Sequence, residues 1–234
     1  YGRMSPNDSE YRFSRDLPQS RRGNPRGQSP DSERRSPVSF RTSALAFLDG
    51  ALERWGIHHL VTWMDQCLIR PGRLLTRHPF PRVTVWERGL GELSYGNLSG
   101  HADPALYLPH GKASTLIDAT RARVFDTLSG LHDGTPDDRF VQAAIYDGRV
   151  VRRRQPSGQR SWEVMLTERH SLSDQILALL SADFLDHRQD YEHDLVLCGV
   201  CKRIEFWPER LSRRACHQHP EELFSVAHRK TGSP

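Results

Sequence analysis

The chain has 234 residues, 36% of them hydrophobic, with 33 basic and 29 acidic side chains and four cysteines. That length suits one or two domains, and the composition excludes collagen-like, coiled-coil and wholly disordered classes. No apolar run reaches the roughly 18–20 residues of a membrane-spanning helix, so no membrane span is predicted.

Apolar content and charge both divide near residue 42. Residues 1–42 hold seven hydrophobic side chains, nine arginines and five acids, a net charge of +4. The whole chain also sums to +4, so residues 43–234 are neutral, with 24 basic against 24 acidic groups. The basic character therefore belongs to the leading segment and says nothing about the folded part. An Arg-, Ser-, Pro- and Gly-rich segment buries too little apolar surface to offset the entropy of ordering it, which predicts a disordered tail over 1–42. No apolar h-region opens the sequence, and a cytoplasmic protein is expected.

Thr42 and Ser43 are good N-cap residues ahead of Leu45, Leu48, Leu52 and Trp55, a helical stripe that Gly56 closes. Ile57 to Ile69 predicts a second helix with Leu60, Val61, Met64 and Leu68 inward, stopped by Pro71-Gly72. Cys67 beside that stripe is expected as a small buried hydrophobe, and His58-His59 has no partner at metal spacing. From Arg82 the period falls to two. Val83 and Val85 alternate with Thr84 and Trp86, and Gly89-Leu90-Gly91 turns the chain into Glu92 to Tyr95. Residues 97–111 read as loop, with a short extended piece at Leu106 to Leu108. Ala113 to Gly130 predicts an amphipathic helix carrying Leu116, Ile117, Thr120, Val124, Leu128 and Leu131 on one side.

Three strands are predicted next. Phe140 to Tyr146 turns at Asp147-Gly148, a short hairpin signal, into Arg149 to Arg154. Pro156-Ser157-Gly158 then leads into Ser161 to Thr167. Alternation sends Arg152-Arg153-Arg154 to opposite faces, so no single cluster is expected of them. Ser171 or Ser173 caps a further helix with Leu172, Ile176, Leu177, Leu180, Phe184 and Leu185 inward. Strands gathered in hairpins define an α+β pattern: an antiparallel sheet with flanking helices over 43–190, then a small cysteine-bearing module over 191–234. The hairpin–helix–meander order of 82–167 is similar to that of PAS-like sensory folds.

Chemistry concentrates near the end. Cys198-Gly199-Val200-Cys201 and Cys216-His217-Gln218-His219 form C-x2-C, fourteen intervening residues, then C-x2-H. A tetrahedral zinc site needs four S or N donors at about 2.0–2.3 Å, and two tight turns presenting two donors each meet that need. The spacer has room for a hairpin, with Asp194 to Leu197 entering it and Arg203-Ile204-Glu205-Phe206 as its second strand. Residues 194–221 resemble zinc-ribbon and treble-clef modules. The resemblance implies one structural Zn2+ held by Cys198, Cys201, Cys216 and His219. His217 lies next to Cys216 and competes for the fourth position, for which the x2 spacing favours His219. A redox dithiol would instead open a helix, whereas the residues after Cys201 alternate like a strand. Four protein ligands close the shell and disfavour catalysis at the metal.

Between the ligand pairs, Lys202, Arg203, Arg210, Arg213 and Arg214 stand against Glu205 and Glu209, a local +3 beside Phe206 and Trp207. Lys202, Arg203, Trp207, Arg210, Arg213 and Arg214 are the candidate interaction surface, suited to phosphates and bases or to an acidic protein. Gly-rich phosphate loops, the G-x-S-x-G elbow and H-E-x-x-H are all missing from the sequence. The expectation is a zinc-stabilised, non-enzymatic adaptor or regulatory interaction protein with a protein partner. One alternative is nucleic-acid binding through the ribbon and the arginine-rich tail. A second is a small-molecule sensor or enzyme with a pocket in the 82–167 sheet.

Overall fold

The computed structural model describes residues 38–49, 56–75, 83–95, 110–132, 137–154, 158–208 and 215–219. All belong to one compact unit, Pro37–Pro234. Residues 1–37 of the predicted tail, the extended piece at Leu106 to Leu108, and Leu52 and Trp55 lie outside the described residues. The tail's last residues depart from expectation: Ser39 caps a helix that Phe40, Arg41 and Thr42 open, because that helix packs on the body.

The first helix, α1 (Phe40–Leu48), starts earlier than predicted. Ser39 is its N-cap, and its hydroxyl accepts the Thr42 N–H at 3.0 Å. Ser43 is not a cap but part of the buried face with Ala44, Phe47 and Leu48. It is tolerated there because its hydroxyl donates to the Ser39 carbonyl and accepts from Arg73 at 2.7 Å. Gly56, expected to end that helix, is instead the N-cap of α2 (Ile57–Met64). This helix runs into a wider turn over Asp65–Ile69, where the Arg70 N–H reaches back five residues to the Asp65 carbonyl. Arg73, buried just beyond it, also donates to the Cys67 and Val38 carbonyls, and so ties α2 to the start of α1.

Strand β1 (Leu74–Leu75) follows, then the predicted hairpin of β2 (Val83–Glu87) and β3 (Gly91–Tyr95), with Val85 opposite Leu93. The long helix α3 (His110–Ser129) buries Leu116, Ile117, Thr120, Val124 and Leu128, the side its periodicity predicted. The next segment differs from expectation. Arg139–Tyr146 is a helix, α4, not a strand. Its buried residues Phe140, Val141 and Ala144 recur at i, i+1 and i+4, and Tyr146 is 92% exposed. Asp147-Gly148 closes this helix instead of turning a hairpin. Gly148 sits at φ 69°, its N–H reaches Ile145, and the Arg149 N–H reaches Ala144, which is a Schellman ending.

Strands β4 (Val150–Arg154) and β5 (Arg160–Val164) then pair antiparallel, and the short β6 (Leu166–Thr167) pairs in parallel with β1. Helix α5 (Leu172–Asp186), capped by Ser171, is buried along almost its whole length. It touches α1, α3, α4, β2, β4 and β5, and the fold is organised around it. The short α6 (Arg188–His193) leads into β7 (Leu195–Leu197) and β8 (Ile204–Phe206), the predicted strands of the cysteine segment.

The fold is α+β. Among the described residues, however, its strands form four separate two-stranded ladders, one of them parallel, and not one antiparallel sheet. With α4 in place of the first meander strand, the PAS-like order is not found among the described residues.

Candidate metal centre

The cysteine hairpin is built by pairing. Leu195, Val196 and Leu197 face Phe206, Glu205 and Ile204, and the Cys198 N–H extends the ladder to the Arg203 carbonyl at 2.9 Å. The chain then reverses within Gly199–Lys202. The Lys202 N–H bonds to the Cys198 carbonyl at 3.0 Å, and Lys202 itself takes the left-handed φ of 57°. That knuckle turns the Cys201 thiol back toward Cys198. A second turn, closed by the His219 N–H on the Cys216 carbonyl at 2.9 Å, presents Cys216 and His219 from the other side.

The four candidate ligand atoms all lie within 4.8 Å of one another. Cys201 Sγ is 3.6 Å from Cys216 Sγ, while His219 Nδ1 is 3.3 Å from Cys216 Sγ and 3.7 Å from Cys198 Sγ. A tetrahedron with S and N bonds of about 2.3 and 2.0–2.1 Å has edges of about 3.8 Å between sulfurs and about 3.5 Å between sulfur and nitrogen. The three spacings match those edges, and all four cysteines of the chain are free thiols. The cluster thus lies at metal-binding distance.

The local field suits a cation. Burial opposes ionisation of the Cys198 thiol, but the backbone N–H groups of Cys201, Cys216 and Val200 point at it and hold its pKa at about 6. Burial, together with hydrogen bonds to Cys198 and Cys216 and the negative charge on Cys198, pushes Cys201 up to about 11. One thiolate forms readily and the next resists until positive charge arrives.

The structure separates the two histidines. His217 turns away from the sulfurs: its Nδ1 is 2.9 Å from Glu205 Oε2, and its ring stacks on Trp207 at 3.9 Å. Of the candidate interaction residues, Arg203 is only 15% exposed and pairs with Glu205 at 3.3 Å and Asp49 at 3.6 Å. Lys202 lies over the Phe125 ring at 5.0 Å. Arg210, Arg213 and Arg214 lie outside the described residues.

At its root the hairpin is held by aromatics. Phe206 meets Tyr191 edge-on at 4.9 Å, and the Arg41 guanidinium covers the Phe206 ring at 4.2 Å. Elsewhere, a cleft of about 500 Å3 opens beside the β2–β3 hairpin, with Thr84, Trp86, Glu92 and Glu168 on its walls. Comparison of the chain with protein-family models and with curated proteins finds no match to either.

Proposed function

We propose that Cys198, Cys201, Cys216 and His219 hold one Zn2+ in a closed tetrahedral shell, and that the ion is structural. The near-tetrahedral spacing of three sulfurs and one imidazole nitrogen supports this reading. The donor set fits a borderline-soft cation, which thiolates and imidazole prefer over magnesium or calcium. Four protein donors leave no position for water or substrate, so the ion staples the chain and does not activate a reactant. The β7–β8 hairpin has three paired residues per strand and a small core of Val196, Cys198 and Cys216, too little to order the tip unaided. On this reading the chain is a non-enzymatic, zinc-stabilised adaptor or regulatory interaction protein of the zinc-ribbon kind.

The test is metal content of the full chain purified without chelator, followed by cobalt substitution. One zinc per chain and a tetrahedral cobalt spectrum with thiolate charge-transfer bands are expected. Cys216→Ser and His219→Ala lose the metal, whereas His217→Ala keeps it. A wild-type content well below one per chain, or full content in Cys216→Ser, overturns the assignment.

A further inference from the structure

The β4–β5 ribbon has two faces of different charge. Its register pairs Val150 with Val164, Val151 with Glu163, Arg152 with Trp162, Arg153 with Ser161 and Arg154 with Arg160. Directly paired residues share a face, and neighbours along a strand alternate. One face therefore carries Val150 and Val164 at its buried root, then Arg152 with Trp162, then Arg154 with Arg160 at its outer end. On the other face Arg153 is met by Glu163 at 3.1 Å, and its charge is balanced.

The first face has no such balance. Arg152, Arg154 and Arg160 are all exposed, and none has an ion pair among the described residues. Arg152 lies over the half-buried Trp162 ring at 5.6 Å. Arg154 directly opposite Arg160 is a like-charge pair, which weakens a two-stranded ladder. An anionic partner laid across the face turns that repulsion into attraction.

We propose that this face binds the sugar–phosphate backbone of a nucleic acid. Arginine forks match phosphate oxygens bidentately. Arg152 and Arg154 stand two residues apart on one strand, about 7 Å, with Arg160 across from the second, so the charges form a line along the ribbon. Trp162, packed on the core with Arg152 over its ring, holds that guanidinium on the face. A two-stranded ribbon is also narrow enough for a groove about 12 Å wide. The inference deepens the reading of the chain as an interaction protein and does not depend on the metal.

The experiment is fluorescence anisotropy of full-length protein with labelled single-stranded and duplex oligonucleotides over a salt series. Metal content and melting temperature are measured on the same samples. R152Q/R154Q/R160Q is expected to weaken binding at least about 10-fold and to lower the log–log salt slope by about 2 on single strands or about 3 on duplex, because three phosphate contacts are lost. R153Q, on the balanced face, leaves affinity and slope unchanged. The arginines of residues 1–42 are present in every sample and contribute equally. R154Q alone raises the melting temperature by relieving the Arg154–Arg160 repulsion. Wild-type affinity in the triple variant overturns the proposal. Binding of poly-glutamate, but not of oligonucleotides, overturns it in favour of an acidic protein partner. Loss of oligonucleotide binding with one zinc retained separates this site from the metal centre.

Discussion

Glu87 ends strand β2, yet its carboxylate is 1% exposed and holds together elements far apart in the chain. Oε2 accepts from the Ser173 N–H at 2.8 Å and the Thr120 hydroxyl at 3.0 Å. Oε1 accepts from the Arg88 N–H and the Ser173 hydroxyl, both at 3.0 Å. Ser173 lies in the first turn of α5, so the negative charge also meets the positive end of that helix. In Glu87→Gln the size is kept, but one oxygen becomes an NH2 donor. Whichever way the amide points, it faces a backbone N–H: that of Ser173 in one orientation, that of Arg88 in the other. One charge-assisted bond, worth about 1.5–3 kcal/mol, is lost, and a buried donor is left unmet at about 1–3 kcal/mol. These costs overlap, and a net loss of about 2–4 kcal/mol is expected. Urea unfolding of the metal-replete protein measures it as a lower midpoint at unchanged slope. A loss under about 1 kcal/mol would refute the claim that this carboxylate couples β2, α3 and α5.

Three further outcomes follow from the geometry. Chelation of the metal should abolish hydrogen-exchange protection at the Cys198 and Lys202 N–H groups, which close the knuckle, while the core of α5 stays protected; equal protection with and without metal would contradict the staple. Gly148→Ala should cost about 1–2 kcal/mol in a thermal or urea melt, because a Cβ there meets nothing within 4 Å and only the positive φ opposes it; a neutral result would show that the α4 ending has another conformation. Burial and the neighbouring Asp183 hold the Tyr191 phenol well above its ordinary value. Above pH about 10 the unfolded chain ionises this phenol while the folded chain resists, so stability that is fully present below that pH falls as pH rises. Tyr191→Phe should flatten the alkaline fall in unfolding free energy, and an unchanged slope would show that the phenol titrates normally in the fold.

How much of this was legible in the sequence depended on how local the deciding interaction is. The spacing of Val83 and Val85 around a Gly89–Gly91 turn, and the 3.6-residue period of α3, are local patterns, and both elements formed where predicted. The cysteine knuckles are local as well: each pair is set by a turn of two intervening residues, β7 and β8 pair around the first, and the turn at 215–219 lies against it. Asp147-Gly148 misled because a glycine at positive φ serves a hairpin and a helix ending equally well. What decided between them was Phe140, Val141 and Ala144 packing on α5, a contact made more than thirty residues along the chain, as in the Phe140–Phe184 ring pair at 6.0 Å. The arginine face was hidden for a related reason. Strand alternation places Arg152 and Arg154 on one side, but only the register reveals Arg160 across from them and Glu163 beside Arg153.

The cysteine hairpin is fastened to the body by two physically different means, and on the proposed zinc assignment this sets what metal loss can propagate. At the root, Arg41 from α1 donates to Asp183 of α5 at 2.8 Å and to Asp190 of α6 at 2.7 Å, while its guanidinium lies over Phe206 of β8. Tyr191 adds its ring to Phe206 and its hydroxyl to the Leu180 carbonyl at 3.1 Å. None of these contacts uses a sulfur. At the tip, by contrast, the 215–219 turn meets the knuckle through Cys216 and His219, while His217 of the same turn reaches Glu205 and Trp207, and Val200 stands 54% exposed. On the proposed zinc assignment, removing the ion loosens the knuckle at the ligand atoms, while the His217 contacts and the root stay in place. A partner that reads the Val200 knuckle would sense the metal state, while one that reads the β4–β5 ribbon, which packs on α5 and α4, would not.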